Sequence, residues 1–353
     1  MPVSRFQQVR EQLWSDITAS RFGDKLPPEP ELAKLYEVSR MTLRRAIGGL
    51  VAEGFLTAQQ GRGTFVVRDR VAPTNTRTIG LVIDPRVLEG HADPYFGAMI
   101  GAMATHLAKT GYSLVFAGAP EELVPTTPGT GMRRPVSGII AMGFDRDSVW
   151  NVSMTRVPVV LLDSYPVPDR TCVIGDNREG IRQAVQHLVA LGHRRIGHIA
   201  GPPATVAGQE RLAAWKRAMQ DAGLAAEDHL SAVGWFTAPG GADAMAKLLK
   251  ASGGRPTAVV CANDRMALGA LRHAREIGLR VPADLSIIGF DNIDAAELAH
   301  PGLTTVAVPR DALVAAAFDA LVAALEGEES PATSTVRLPT SLVVRESTGR
   351  ASS

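Results

Sequence analysis

From Thr78 onward, short runs rich in Val, Ile and Leu alternate with amphipathic stretches of helical period, and this alternation leaves few folds open. A strand apolar at successive positions is buried on both faces, as in a parallel sheet covered by helices. The pattern predicts strands at 78–83, 113–116, 138–142, 157–162, 196–200, 258–261 and 285–289. It places helices between them at 95–109, 178–191, 209–222, 241–251, 265–277 and 311–325. The segment 119–135, with Pro120, Pro125, Pro128 and Pro135, reads as a loop where a helix would otherwise stand.

Residues 1–68 follow a different pattern. Phe6, Val9, Leu13, Trp14 and Ile17 recur at the three-and-four spacing of a single helix face. The turn Gly23-Asp24-Lys25-Leu26-Pro27-Pro28 leads to a second helix at 29–36, and Ser39 supplies a cap for a third at 40–53 that closes on Gly54. Strand-like runs at 55–58 and 64–67 flank Gln59-Gln60-Gly61-Arg62-Gly63, the makings of a hairpin wing. The polar, aperiodic stretch 69–77 is read as a linker to a domain at 78–349. The fold class is thus α/β, an N-terminal winged helix-turn-helix ahead of a sheet-based domain. A chain of 353 residues exceeds what one core usually organises, in keeping with that division.

A helix reads duplex DNA when its first turns carry donors into the major groove and its neighbours hold phosphates. Arg40, Thr42, Arg44 and Arg45 supply those donors, opposite a stripe of Leu43, Ile47 and Leu50. Gln60, Gly61 and Arg62 form the wing tip, where glycine lets backbone approach a phosphate or the minor groove. Residues 1–70 hold eleven Lys or Arg against eight Asp or Glu, and the remainder 26 against 28, so the slight positive excess lies in front. A solvated basic helix face is the blander account of Arg44 and Arg45; their setting between helix, turn and wing argues against it.

Ligands of open parallel sheets bind beyond the carboxyl ends of the strands. Asp163 follows 159–162, Asn263 and Asp264 follow 258–261, and Asp291 follows 287–290. Carboxylates and an amide facing one crevice suit a polyhydroxylated ligand, to which Arg211 donates and whose apolar face Phe96, Trp235 and Phe236 cover. Alternatives stay open at each position: Asp264 and Asp291 as caps, Arg211 as a surface ion pair, Trp235 and Phe236 as core.

The front segment resembles the GntR-type winged-helix family in Leu26-Pro-Pro-Glu-Pro-Glu-Leu-Ala33, Tyr36-Glu-Val-Ser-Arg-Met-Thr-Leu-Arg44, Glu53-Gly-Phe-Leu56 and Gly61-Arg-Gly-Thr-Phe-Val66. That resemblance implies contacts from Arg40, Thr42 and Arg44 to an operator, with the wing at Gln60 and Gly61 alongside. Pro30 stands where the family usually has an arginine. The rest, about 77–349, resembles the LacI family's effector domain and periplasmic sugar-binding proteins. The motifs are Asp93-Pro-Tyr-Phe96, Gly192-His-Arg-Arg-Ile-Gly197, Asn263-Asp-Arg-Met-Ala-Leu-Gly269, Val281-Pro-Ala-Asp-Leu-Ser-Ile-Ile-Gly-Phe-Asp291 and Leu342-Val-Val-Arg-Glu-Ser-Thr348. The second resemblance implies two subdomains joined by three crossings, a homodimer, and effector contacts from Asp163, Arg211, Phe236, Asn263 and Asp291.

The expected function is a transcriptional regulator whose partners are double-stranded operator DNA and a sugar-like effector. The alternatives are a corepressor-dependent regulator binding a purine or other metabolite, and an enzyme acting on sugars. No dinucleotide, P-loop, nucleophile-elbow or zinc-protease motif is present, so no catalytic residue, metal site or cofactor is predicted. Cys172 and Cys261 lie far apart and read as small buried residues. The first ten residues contain no apolar signal region and no membrane-spanning run follows, which predicts a cytoplasmic protein.

Overall fold

The computed structural model describes residues 5–18, 21–52, 55–59, 62–66, 77–88, 93–118, 123, 136–149, 157–168, 170–250, 254–326 and 335–351. Two compact units divide the chain: 1–82 with 111–139 and 154–159, and 83–110 with 140–153 and 160–353.

The front of the first unit holds α1 (Arg5–Thr18), α2 (Glu29–Leu35), α3 (Arg40–Ala52), β1 (Leu56–Gln59) and β2 (Gly63–Val66). Val9, Leu13, Trp14 and Ile17 of α1 pack with Leu32 of α2 and with Leu43, Ala46, Ile47 and Leu50 of α3 in one core. The Tyr36 hydroxyl donates to Asp16 Oδ2 at 2.7 Å, fixing the end of α2 to α1. As expected from its position, Ser39 begins α3: its Oγ accepts from Thr42 N at 3.1 Å and its carbonyl from Leu43 N at 3.0 Å. β1 and β2 pair antiparallel with Gln59 opposite Gly63, so the wing loop is two residues shorter than the sequence suggests. Gly63 takes φ +110, a conformation glycine adopts without penalty.

Beyond 77 come β3 (Thr78–Ile83), α4 (Pro85–Leu88), α5 (Pro94–Leu107), β4 (Ser113–Ala117), β5 (Gly138–Met142), β6 (Val159–Leu162) and β7 (Thr171–Gly175). They are followed by α6 (Asn177–Ala190), β8 (Ile196–Ala200), α7 (Val206–Asp221), β9 (Ser231–Val233), α8 (Ala238–Leu248), β10 (Ala258–Cys261) and α9 (Asp264–Glu276). The last elements are β11 (Ser286–Asp291), α10 (Asp294–Leu298), β12 (Thr304–Ala307), α11 (Arg310–Leu325), β13 (Thr335–Leu338) and β14 (Ser341–Val343). The strands form two six-stranded sheets, ordered β14-β12-β11-β10-β8-β9 and β13-β7-β6-β5-β3-β4.

The chain passes between the sheets after β7, after β12 and after β13, the three crossings that the resemblance implies. Five strands, β7, β9, β12, β13 and β14, were not among those predicted. They are three to five residues long, and β14 joins β12 antiparallel at the edge of an otherwise parallel sheet. The linker up to residue 76 and most of the proline-rich segment 119–135 lie outside the described residues.

Helices α8 and α9 approach backbone to backbone at two glycines. A Cβ on Gly241 would collide with the Met266 backbone, and one on Gly269 with the Ala238 backbone. This contact sets the loops in front of both helices, which carry Phe236 and Asn263. Gly269→Ala is therefore expected to lower the unfolding free energy by roughly 1–3 kcal/mol, measured by urea denaturation; an unchanged midpoint would contradict the close approach.

Candidate functional site

At the carboxyl ends of the strands, within the second unit, lies a cavity of about 100 Å³. Its polar lining comprises Asp93, Tyr95, Asp163, Thr205, Arg211, Asn263 and Asp291, and its apolar lining includes Val87, Phe96, Phe144 and Phe236. Of the residues predicted to meet an effector, Phe96, Asp163, Arg211, Phe236, Asn263 and Asp291 all line it.

Asp264 does not. Its side chain is fully buried, with Oδ1 accepting from the Thr305 hydroxyl and Oδ2 from Ile293 N at 2.9 Å. Burial pushes its carboxyl up to about 7 against the pull of those donors. It tethers the loop after β11, which carries Asp291, and meets no cavity surface. Trp235 is 61% exposed and is also absent from the lining.

The organising side chain is Arg211, only 4% exposed on α7. Its Nε donates to Asn177 Oδ1 at 2.8 Å, and its Nη1 to the Ala262 carbonyl and, at 3.5 Å, to Asp291 Oδ1. The guanidinium lies 3.7 Å over the Phe290 ring. Among the described residues nothing bonds Nη2, which is left for a ligand. Burial raises the carboxyls of Asp163 and Asp291 above the usual range, and the Arg211 charge pulls both back. Asp291 is buried and Asp163 is half-buried. Asn263 has two tasks: Oδ1 caps α9 by accepting from Met266 N at 2.9 Å, and Nδ2 donates to the Phe236 carbonyl at 3.3 Å.

The backbone at the strand ends is strained. Asp163 after β6 has φ +45, Trp235 and Phe236 after β9 have +58 and +57, and Asp291 and Asn292 at the end of β11 have +110 and +54. Each non-glycine residue held this way costs about 1–3 kcal/mol, a strain that concentrates at ligand sites. Sequence reasoning missed Asp93, Tyr95 and Thr205. Asp93 caps α5, accepting from Tyr95 N at 3.0 Å, and pairs with Arg265 of α9 at 3.1 Å. Arg146 N donates to the Ala204 carbonyl at 3.1 Å, joining the loops after β5 and β8. The signal for Asp93 was its place before Pro94, the pattern of an N-cap.

The basic histidines are committed elsewhere. His198 Nδ1 bonds the Val260 carbonyl at 2.9 Å, its ring stacks on Trp215, and burial pushes it down to about 4. His193 bridges Thr257, Ser286 and the Gly349 carbonyl, and His187 meets Thr348. Both cysteines are buried, and burial raises their thiols, Cys172 to about 12.

On α3, Arg40, Arg44 and Arg45 are exposed and Thr42 is half-buried, its hydroxyl 2.9 Å from Ser39 Oγ. Glu29 of α2 receives Arg44 through Nε at 3.3 Å and Nη2 at 2.8 Å, beside exposed Pro30. Arg62 is exposed on the wing, while Gln60 and Gly61 lie outside the described residues.

The pattern of bacterial regulatory proteins of the gntR family matches residues 6–66, and that of a periplasmic binding protein-like domain matches residues 185–348. MalR of Streptomyces coelicolor, an HTH-type transcriptional regulator, is 34% identical over 91% of this chain and 96% of its own. A structure of the transcriptional regulator CelR with cellobiose covers 91% of this chain and 100% of its own, at 28% identity and a TM-score of 0.66. The lac repressor dimer bound to operator and the anti-inducer ONPF covers 80% and 98%, at 30% identity and a TM-score of 0.66.

Removing Arg211 would strand the buried Asp291 carboxylate and the half-buried one of Asp163. Arg211→Ala is expected to cost about 3–5 kcal/mol of stability. Without the cation the folded-state pKa values of Asp163 and Asp291 rise further, so the folded form binds more protons than the unfolded one and loses stability as pH rises. The deficit, read by thermal unfolding, should thus be larger at pH 8 than at pH 5; an equal deficit would show that Arg211 does not balance these acids.

Proposed function

The chain belongs to the LacI-like HTH-type transcriptional regulators, and from that premise we propose that it represses transcription as a cytoplasmic homodimer released from its operator by a sugar-like effector. It is a regulator, not an enzyme, as are its relatives. The proposed division is a DNA-binding head at 1–68, a linker at 69–77 and an effector-binding and dimerisation domain at 78–349.

The observation that carries the reading is the cavity in which Arg211, Asp163 and Asp291 converge beside Phe96 and Phe236. Carboxylates accept hydroxyl protons, the free Arg211 donor meets a ring or hydroxyl oxygen, and aromatic faces cover C–H surface. That set matches an uncharged polyol. The likeness to a regulator solved with cellobiose supports the same class of ligand. Asn263 contributes amide surface, and Asp264 acts behind Asp291 as a positioning group. In the head, Arg40, Thr42, Arg44 and Arg45 are assigned to the major groove, and Gln60, Gly61 and Arg62 to the wing contact.

Effector binding weakens operator affinity through a coupling of about 1–3 kcal/mol, or roughly 5- to 150-fold. Thermal shift against a sugar and nucleoside panel identifies the ligand, since one that binds only the folded state raises the melting temperature. Fluorescence anisotropy on operator duplex then reads the coupling; operator affinity unmoved by a ligand that binds would defeat the regulatory reading.

Ligand affinity is expected to fall as pH drops from 8 toward 5, because protonation of Asp163 and Asp291 begins above the usual carboxylate range and removes acceptors. A flat profile by calorimetry would remove those two carboxylates from the contact. Arg44→Ala should weaken operator binding and reduce the slope of log affinity against log salt by about 1 if its partner is a phosphate. Ligand affinity should be unaltered.

A further inference from the structure

On α3 the side chains at 41, 44, 45 and 48 share one face by helical spacing, opposite the buried stripe of Leu43, Ala46, Ile47 and Leu50. Arg44 and Arg45 on that face are exposed, and at Gly48 nothing lies within 4 Å of where a Cβ would stand. One turn nearer the amino terminus, the same face carries Met41, 82% exposed and the most exposed large hydrophobic side chain among the described residues. Its neighbours on the helix are cationic or capping groups: Arg40 is exposed, Thr42 is engaged with Ser39, and Arg44 is held by Glu29.

We propose that Met41 is a specificity-determining residue that reads the C5-methyl group of a thymine in each half-site. The inference rests on α3 being the DNA-reading helix. Side chains in the first turn of such a helix meet base edges in the major groove, where the thymine methyl is the one bulky apolar group presented. A thioether on an unbranched chain has almost no hydrogen-bonding capacity and packs well against a methyl group. Against the amino group of cytosine or adenine it would bury a donor without a partner, which disfavours those bases at the same step. The thymine therefore lies within a base pair or two of the position that Arg44 contacts.

The test uses the full chain and a duplex it selects from a random pool. Each thymine is replaced singly by deoxyuridine, which deletes only the methyl group. One replacement per half-site is expected to weaken binding about four-fold, the value of one buried methyl. Met41→Ala should weaken binding to the thymine duplex and abolish the difference between thymine and deoxyuridine, while Met41→Leu keeps it. The position is exposed and alanine is a strong helix former, so the variant folds. Arg44→Ala serves as the reference: it should lower affinity yet leave the methyl effect in place. Equal methyl effects in wild type and Met41→Ala, or none in wild type, would overturn the Met41 assignment. If Arg40→Ala and Arg44→Ala also bound as wild type, the choice of α3 itself would fall with it.

Discussion

A guanidinium taken out of water is the constraint around which the effector region is arranged. Arg211 cannot give up its proton, so its burial demands compensation on every side. Asn177, the Ala262 carbonyl, and the Phe290 ring with Asp291 on β11 supply it from three different segments. Each of those segments is thereby fixed in position relative to the others. Asp291 and Asp163 in turn are charged acceptors in a poorly hydrated place, tolerable because the cation is near. The cavity is a pre-organised set of opposite charges with one donor unfilled, which is what a neutral ligand rich in hydroxyls needs.

The strained strand ends belong to the same arrangement. Asp163, Phe236 and Asp291 reach the cavity because the backbone turns abruptly through the left-handed region as each strand ends. Asp264 supports one of these turns from behind by holding Ile293 and Thr305. Rigid strands, sharp turns and buried tethers together hold side chains from distant parts of the chain in one place, with little freedom to lose on binding.

The change from helical elements to buried strands was readable because hydrophobic period changes from 3.6 to continuous runs near residue 77, and periodicity directly reflects which face is buried. That Asp163, Asn263 and Asp291 line the cavity has a related cause: polar residues just after buried strands have few other places to go. Asp264 shows the limit. It follows a strand as Asp163 does, but it begins α9 and turns inward, and chain position alone cannot distinguish a group aimed at a ligand from one aimed at a neighbouring loop. Asp93 shows the reverse, a residue whose capping pattern was visible while its place in the lining depended on Arg265, 172 positions away. The short strands β13 and β14 were missed because three or four residues carry too little period to be read, and their pairing is set by strands distant in sequence.

Asp93, part of the cavity lining, pairs with Arg265, and Arg146 N bonds the Ala204 carbonyl between the loops after β5 and β8. A molecule held behind ties of this kind departs only as often as they part, however fast its own contacts break. Residence time would then follow those ties, separable by mutation from how well the interior fits its guest. A regulator built this way would hold its response for a while after its effector is withdrawn.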